Sequence, residues 1–164
     1  MSACPMLTEL SVASPDLEAL HGLNNQLAPE LSHVDGAHFR WLVAHAFFAA
    51  EINGTEAFLI AFDQDAPYES PNFLWFKERF SKFVYVDRLA TAAFARGRGH
   101  AIALYDVLFA KARAAGHTRV VCEINESPPN PVSASLHARF GFIKVGDAVL
   151  AEANKTVGYF VKNI

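Results

Sequence analysis

The sequence predicts a mixed α+β fold, and three observations carry that prediction. Phe83, Val84, Tyr85 and Val86 are nearly continuous aromatic and β-branched residues, the pattern of a strand buried on both faces. Downstream, Ile102, Leu104, Tyr105, Leu108, Phe109 and Ala112 recur at helical spacing, with Asp106, Lys111 and Arg113 on other faces. Around this unit the order is uneven: a strand-rich first half, a Gly-rich turn and helix, a strand, a short helix and a closing hairpin. That order is not a regular βαβ repeat.

The elements follow in chain order. Leu7 to Val12 is a short strand candidate. Ser14-Pro15 opens a helix, with Ser as N-cap, Pro in the first turn and Asp16 and Glu18 near the positive end. Leu17, Leu20, Leu23 and Leu27 form its stripe, and Pro29 is expected to stop it. Asp35-Gly36 starts a second helix with Phe39, Leu42, Val43, Ala46 and Phe47 on one face. Asn53-Gly54 is a turn, and Glu56 to Phe62 reads as a strand. Asp63 to Ser81 begins as a polar, Pro-containing loop and becomes densely aromatic at Phe73, Trp75, Phe76 and Phe80. Such density is either a docked segment or the wall of a pocket. The wall is the expectation here, with Phe73, Trp75 and Phe76 gripping a substrate and the segment more mobile than its neighbours. Gly116 ends the central helix. Arg119 to Asn125 is a buried strand. Pro131 lies early in a short helix that Gly141 closes. Phe142 to Val149 and Lys155 to Lys162 read as the closing hairpin.

Composition narrows the function. The chain has 164 residues, enough for one domain with a sizeable core. Hydrophobic residues make up 52% and charged residues 19%, which excludes a disordered chain. A net charge of -3 gives no electrostatic reason to expect nucleic acid. The two cysteines, Cys4 and Cys122, argue against a disulfide framework and a Cys-rich zinc site. The seven histidines are scattered; His38 and His45 lie a heptad step apart but among Phe and Trp41, so no metal is expected. No apolar run reaches membrane-spanning length, and no basic-then-apolar leader opens the chain. The expectation is a cytoplasmic protein with reduced thiols.

The turn Arg96-Gly97-Arg98-Gly99-His100-Ala101 joins the buried strand to the central helix. Glycines let a backbone turn sharply and let a ligand come close, and a helix start offers free N–H groups, so the turn is either an anion cradle or an Arg/Gly surface turn with nothing bound. It is neither the dinucleotide G-x-G-x-x-G pattern nor a P-loop. It matches Arg/Gln-x-x-Gly-x-Gly/Ala, and Asn130-Pro-Val-Ser-Ala-Ser-Leu-His-Ala-Arg-Phe-Gly-Phe142 is similar to Asn-x-x-Ala-x-x-Leu-Tyr-x-x-x-Gly-Phe. Together, in this order, the two stretches resemble the signatures of the GCN5-related N-acetyltransferase (GNAT) superfamily, firmly over Phe83 to Phe142.

The resemblance implies a central, mostly antiparallel mixed sheet flanked by helices, in one domain spanning 1–164. Residues 1–82 would form the acceptor side, 83–142 the acetyl-CoA core and 143–164 the closing hairpin. One strand of the hairpin that such proteins carry before the central strand looks short, irregular or replaced here. The resemblance also implies that acetyl-CoA lies where the central strand splays from the next, its pantetheine on the backbone of Leu89, Ala90 and Thr91. Gly97, Gly99, His100 and Ala101 would hold the pyrophosphate, with Arg96 beside it and Arg98 on the adenosine phosphate. Asn130, Ser133 and His137 would line the channel.

The implied activity is acetyl transfer to a primary amine, expected to be a small molecule, without metal. The alternative is a non-catalytic acyl-CoA-binding or regulatory module. A homodimer stays open, and no nucleic acid or membrane partner is expected. Strand alternation would put Tyr85, Asp87, Leu89 and Thr91 on one face. Asp87 is the leading candidate base, its alternative being a structural carboxylate paired with Arg88 or Arg40, and Glu123 is the second candidate. His137, where the signature has Tyr, is the candidate acid; water or Tyr85 is the other option.

Overall fold

In the computed structural model residues 4–164 are described. Seven strands form one sheet in the order β1-β2-β3-β4-β5-β7-β6. They are β1 (Leu7–Glu9), β2 (Phe48–Ile52), β3 (Ala57–Asp63), β4 (Val84–Thr91), β5 (Arg119–Ser127), β6 (Ile143–Leu150) and β7 (Lys155–Asn163). Every pairing is antiparallel except β4–β5. The helices are α1 (Leu17–Gln26), α2 (Ala28–Leu31), α3 (Gly36–His45), α4 (Pro71–Lys77), α5 (His100–Ala114) and α6 (Pro131–Phe140).

The pleat sorts the apolar side chains into two layers. On β3, Phe58, Ile60 and Phe62 join Leu20 of α1, Phe39 and Leu42 of α3, and Phe73 and Phe76 of α4. The alternate residues Ala57, Leu59 and Ala61 face the other way, with Leu104, Tyr105 and Leu108 of α5 and with Phe142. Both faces of the central sheet are therefore covered, which is why β3 and β4 read as nearly unbroken apolar runs.

Three local expectations change. Phe47 does not extend a helix: α3 ends at His45, and Phe48–Ile52 is a wholly buried strand pairing with β3 over its full length. The hairpin before β4 is thus complete, not short or replaced. Its Ala49-Ala50 core carries weak strand propensity, and only the place between β1 and β3 makes it a strand. Pro29 does not end the helical region; it sits in the first turn of α2, where its missing N–H costs nothing. The aromatic segment is a helix, α4, rather than a free loop.

Candidate active site

The site begins with a fault in β4. Ile60 pairs with Arg88 and Ala61 with Val86, so Asp87 is an extra residue in the strand. A bulge shifts the side-chain phase. Val84, Val86 and Leu89 consequently face α5, whereas Tyr85 and Ala90 face the other layer. The expected common face of Tyr85, Asp87, Leu89 and Thr91 does not exist. Beyond the bulge β4 also leaves its neighbour: β4 and β5 pair only at Val84–Val120 and Tyr85–Val121.

The gap opens into a cleft of about 790 Å³. Leu89, Ala90, Thr91, Arg96, Gly97, Gly99, His100, Ala101, Asn130, Ser133 and His137 all line it, so both signature stretches meet there. At its outer end Gly97 and Gly99 have φ of +79° and +81°, left-handed values that favour glycine, and α5 begins at His100. The free N–H groups of that helix start could receive an anion. Arg98 does not join it. Its guanidinium is 3.3 Å from Glu56 and beside Phe94, and it is not a lining residue. His100 shares the same carboxylate at 2.5 Å, so the β2–β3 turn holds the loop in place. Arg139 of α6 lines the cleft instead. It stands at an unassigned position of the second signature, and sequence spacing offered no signal for it.

A second cavity, about 580 Å³, adjoins the first; Asp87 and Glu123 border both. It is walled by α2, α3, the segment Pro67–Asn72 and the β6–β7 turn, with Trp41, Tyr68 and His38 as its aromatic surface. Phe73, Trp75 and Phe76 are not in either wall. Phe73 and Phe76 are fully buried against Phe83 and Tyr85, and Trp75 stacks on Tyr159 at 4.2 Å. The aromatic density is core; the wall is the polar stretch just before it.

Besides the exposed Glu30, Asp87 and Glu123 are the carboxylates that border both cavities, and these two differ. Both Asp87 oxygens are occupied, Oδ1 accepting from the Tyr68 hydroxyl at 2.9 Å and Oδ2 from Arg88 Nε at 3.0 Å. Arg88 Nη1 donates in turn to Asn24 Oδ1 and to the carbonyls of Leu31 and Ser32, tying α1 and α2 to β4. Burial still raises the Asp87 pKa, opposed by the Arg88 charge. Glu123 accepts from the Tyr85 hydroxyl at 2.7 Å and has no cation of its own among the described residues. Burial first, and then the nearby Asp87 charge, push it up to about 7.

His137 is not placed as an imidazolium donor. It is 4% exposed, and burial lowers its pKa. Its Nδ1 lies 2.7 Å from the Ser133 carbonyl, which can only accept, so Nδ1 carries the proton. Nε2 then accepts from the Tyr105 hydroxyl at 2.6 Å. A buried, neutral ring with both nitrogens engaged has no proton to spare near neutral pH. Tyr85, the other acid option, points its proton at Glu123 and lines neither cavity.

Among the described residues no group of three or more His, Cys, Asp or Glu is placed to hold a metal, and no helix is long and apolar enough to cross a membrane.

A splayed parallel pair, a glycine-bounded helix start and carboxylates between two cavities define an acyl-transfer architecture. The chain belongs to the Acetyltransferase (GNAT) family, whose model matches residues 17–142. Solved structures agree over the whole fold. Arabidopsis thaliana NAA60, in complex with acetyl-CoA, superposes with a TM-score of 0.74 at 16% identity, covering 98% of this chain and 99% of that one. The ribosomal-protein-S18-alanine N-acetyltransferase of Escherichia coli gives 0.67 at 16%, covering 97% and 94%. An aminoglycoside 6'-N-acetyltransferase complexed with coenzyme A gives 0.69 at 12%, covering 96% of each. No curated protein matches the sequence.

Proposed function

We propose that this acetyltransferase moves an acetyl group from acetyl-CoA to the primary amine of a small molecule, with Glu123 as general base. The observation that carries the reading is the position of Glu123 at the junction of the two cavities with its pKa raised to about 7. A base poised near the working pH is half ionised and still strong enough to accept a proton.

Acetyl-CoA would fill the larger cleft, its pyrophosphate on the start of α5 and its pantetheine on the β4 edge that β5 leaves unpaired. The amine would enter from the smaller cavity as an ammonium ion. That cavity suits a cation, because Glu30, Glu69, Asp87 and Glu123 line it against Arg88 and Lys155; Arg88 is paired with Asp87, and Lys155 donates to the Pro29 carbonyl at 3.0 Å. The same Lys155 contact joins α2 to the β6–β7 turn at the cavity rim, which favours a compact acceptor over a polypeptide. Residues 1–82 thus supply most of the acceptor walls and 83–142 the cofactor cleft.

Glu123 takes one ammonium proton. The freed nitrogen pair attacks the thioester carbon, the C–S bond breaks, and the thiolate leaves with the proton that nitrogen sheds on becoming an amide. Asp87, held by Arg88 and Tyr68, raises the basicity of Glu123 rather than acting as the base.

The test is thiol release from acetyl-CoA over a panel of small amines and short peptides. With the best acceptor, Glu123→Gln is expected to lower kcat/KM on the order of 10²-fold or more with acetyl-CoA affinity retained. Undiminished turnover in this variant would remove the base assignment, and preference for the peptides would remove the small-molecule reading.

A further inference from the structure

Asn72, in the first turn of α4, borders the acceptor cavity beside Glu123. The Tyr159 hydroxyl donates to its Oδ1 at 2.9 Å. That bond fixes which way the amide faces: its oxygen is turned to Tyr159, and its two N–H donors are left for the cavity side.

The mount behind it is rigid. Tyr159 is 1% exposed, sandwiched by Trp75 in a stack at 4.2 Å and by Phe76 edge-on at 5.2 Å. The outer face of Trp75 is covered by the Arg79 guanidinium at 3.9 Å. Its edge lies over Gly146 so closely that a Cβ there would come within 2.5 Å of the ring. Every aromatic of α4 therefore braces either the core or the residue that orients Asn72.

We propose that Asn72 is a positioning residue for Glu123, donating from the amide that Tyr159 orients and so holding the carboxylate toward the acceptor. This rests on Glu123 being the group that meets the amine. The titratable and charged groups facing Glu123 are Asp87 and Tyr85 of β4, Tyr68 of the segment before α4, Tyr105 of α5, Cys122 of β5 and Tyr159 of β7, and Arg88 is turned onto Asp87. None of them is a cation free to hold Glu123 ionised. Neutral donors are what remain: the Tyr85 hydroxyl at 2.7 Å, and the Asn72 amide, which also lowers the Glu123 pKa against the stronger upward pull of burial. The amide steadies the carboxylate without quenching it, as a paired arginine would.

The test follows the Glu123 carboxyl carbon by ¹³C NMR through a pH titration of the full chain labelled at glutamate, with Glu123→Gln assigning the signal. Asn72→Leu removes the donors at nearly constant volume, and Tyr159→Phe removes only the hydroxyl that orients them. Both are expected to raise the Glu123 midpoint, Asn72→Leu by on the order of half a pH unit or more and Tyr159→Phe by less. The acid limb of kcat/KM with the best amine should move up with it. Midpoints unchanged in both folded variants, with only the unfolding temperature lowered, would reduce Asn72 to a structural residue. Tyr159→Phe keeps its stacking ring, so it decides the matter if Asn72→Leu folds poorly. These outcomes do not depend on turnover of Glu123→Gln, which bears on the base assignment alone.

Discussion

Asp87 and Glu123 look equivalent in a sequence, and the difference between them lies in their partners. Asp87 spends both oxygens on Tyr68 and Arg88, while Glu123 is met by one phenol and a cavity. Two predictions follow from that contrast. The ordinary Glu value of 4.5 is raised to about 7 in the folded state, so folding favours the protonated form. Its contribution to stability is then fully present below about 4.5 and is lost as pH rises through about 7. Relative to Glu123→Gln, which cannot ionise, the wild type should lose stability between those values, read from urea unfolding at pH 4.5, 6 and 8. Parallel curves at all three would show that Glu123 is not perturbed. Arg88 is the second case. Its side chain is 6% exposed and serves Asp87, Asn24 and two carbonyls. Arg88→Met should cost about 3–5 kcal/mol, because it strands a buried carboxylate and unpairs the α1–α2 segment. A loss under about 1 kcal/mol in urea unfolding would mean that Asp87 is neutral in the folded state.

At the scale of elements, α4 and the start of α5 behave in opposite ways under mutation. Trp75 packs on Tyr159 and Gly146, away from both cavities. Trp75→Ala should therefore lower stability by about 3–5 kcal/mol while leaving acetyl-CoA affinity unchanged in the folded fraction. A raised acceptor KM at unchanged stability would return Trp75 to the pocket wall. At the α5 start the added Cβ of a Gly99 variant meets nothing within 4 Å, so crowding is not the issue. The cost comes from φ of +81° and from charge at an anion site. Gly99→Glu should weaken acetyl-CoA binding well over tenfold by calorimetry, and an affinity near that of the wild type would remove the pyrophosphate assignment.

Taken as a whole, the molecule is a covered sheet with one designed opening, where β4 and β5 part after two residue pairs. Ligand in that opening should protect what it touches. Acetyl-CoA is expected to slow hydrogen exchange at residues 89–91 and 97–103 on β4 and α5 and to leave β1–β2 unchanged. At about 100 times its Kd it should add about 2.7 kcal/mol to stability. Protection spread evenly over all strands would instead mean global tightening without a cleft.

The sequence by itself determined the family, the central strand–turn–helix unit and the two stretches that meet in the larger cleft. Those features depend on neighbours in the chain: glycine at left-handed positions, a run of β-branched residues, a 3.6-residue period. Tertiary structure alone decided three things. It made Phe48–Ile52 a strand, since Ala-rich residues take the state their neighbours impose. It put an extra residue at Asp87, because a bulge exists only relative to the partner strand, and that one residue undid the alternation read from β4. It gave each polar side chain its role. Arg98 turns to Glu56, His137 to Tyr105 and Ser133, Asp87 to Arg88, and Glu123 is left open, since a hydrogen-bond partner tens of residues away is set by packing and not by spacing.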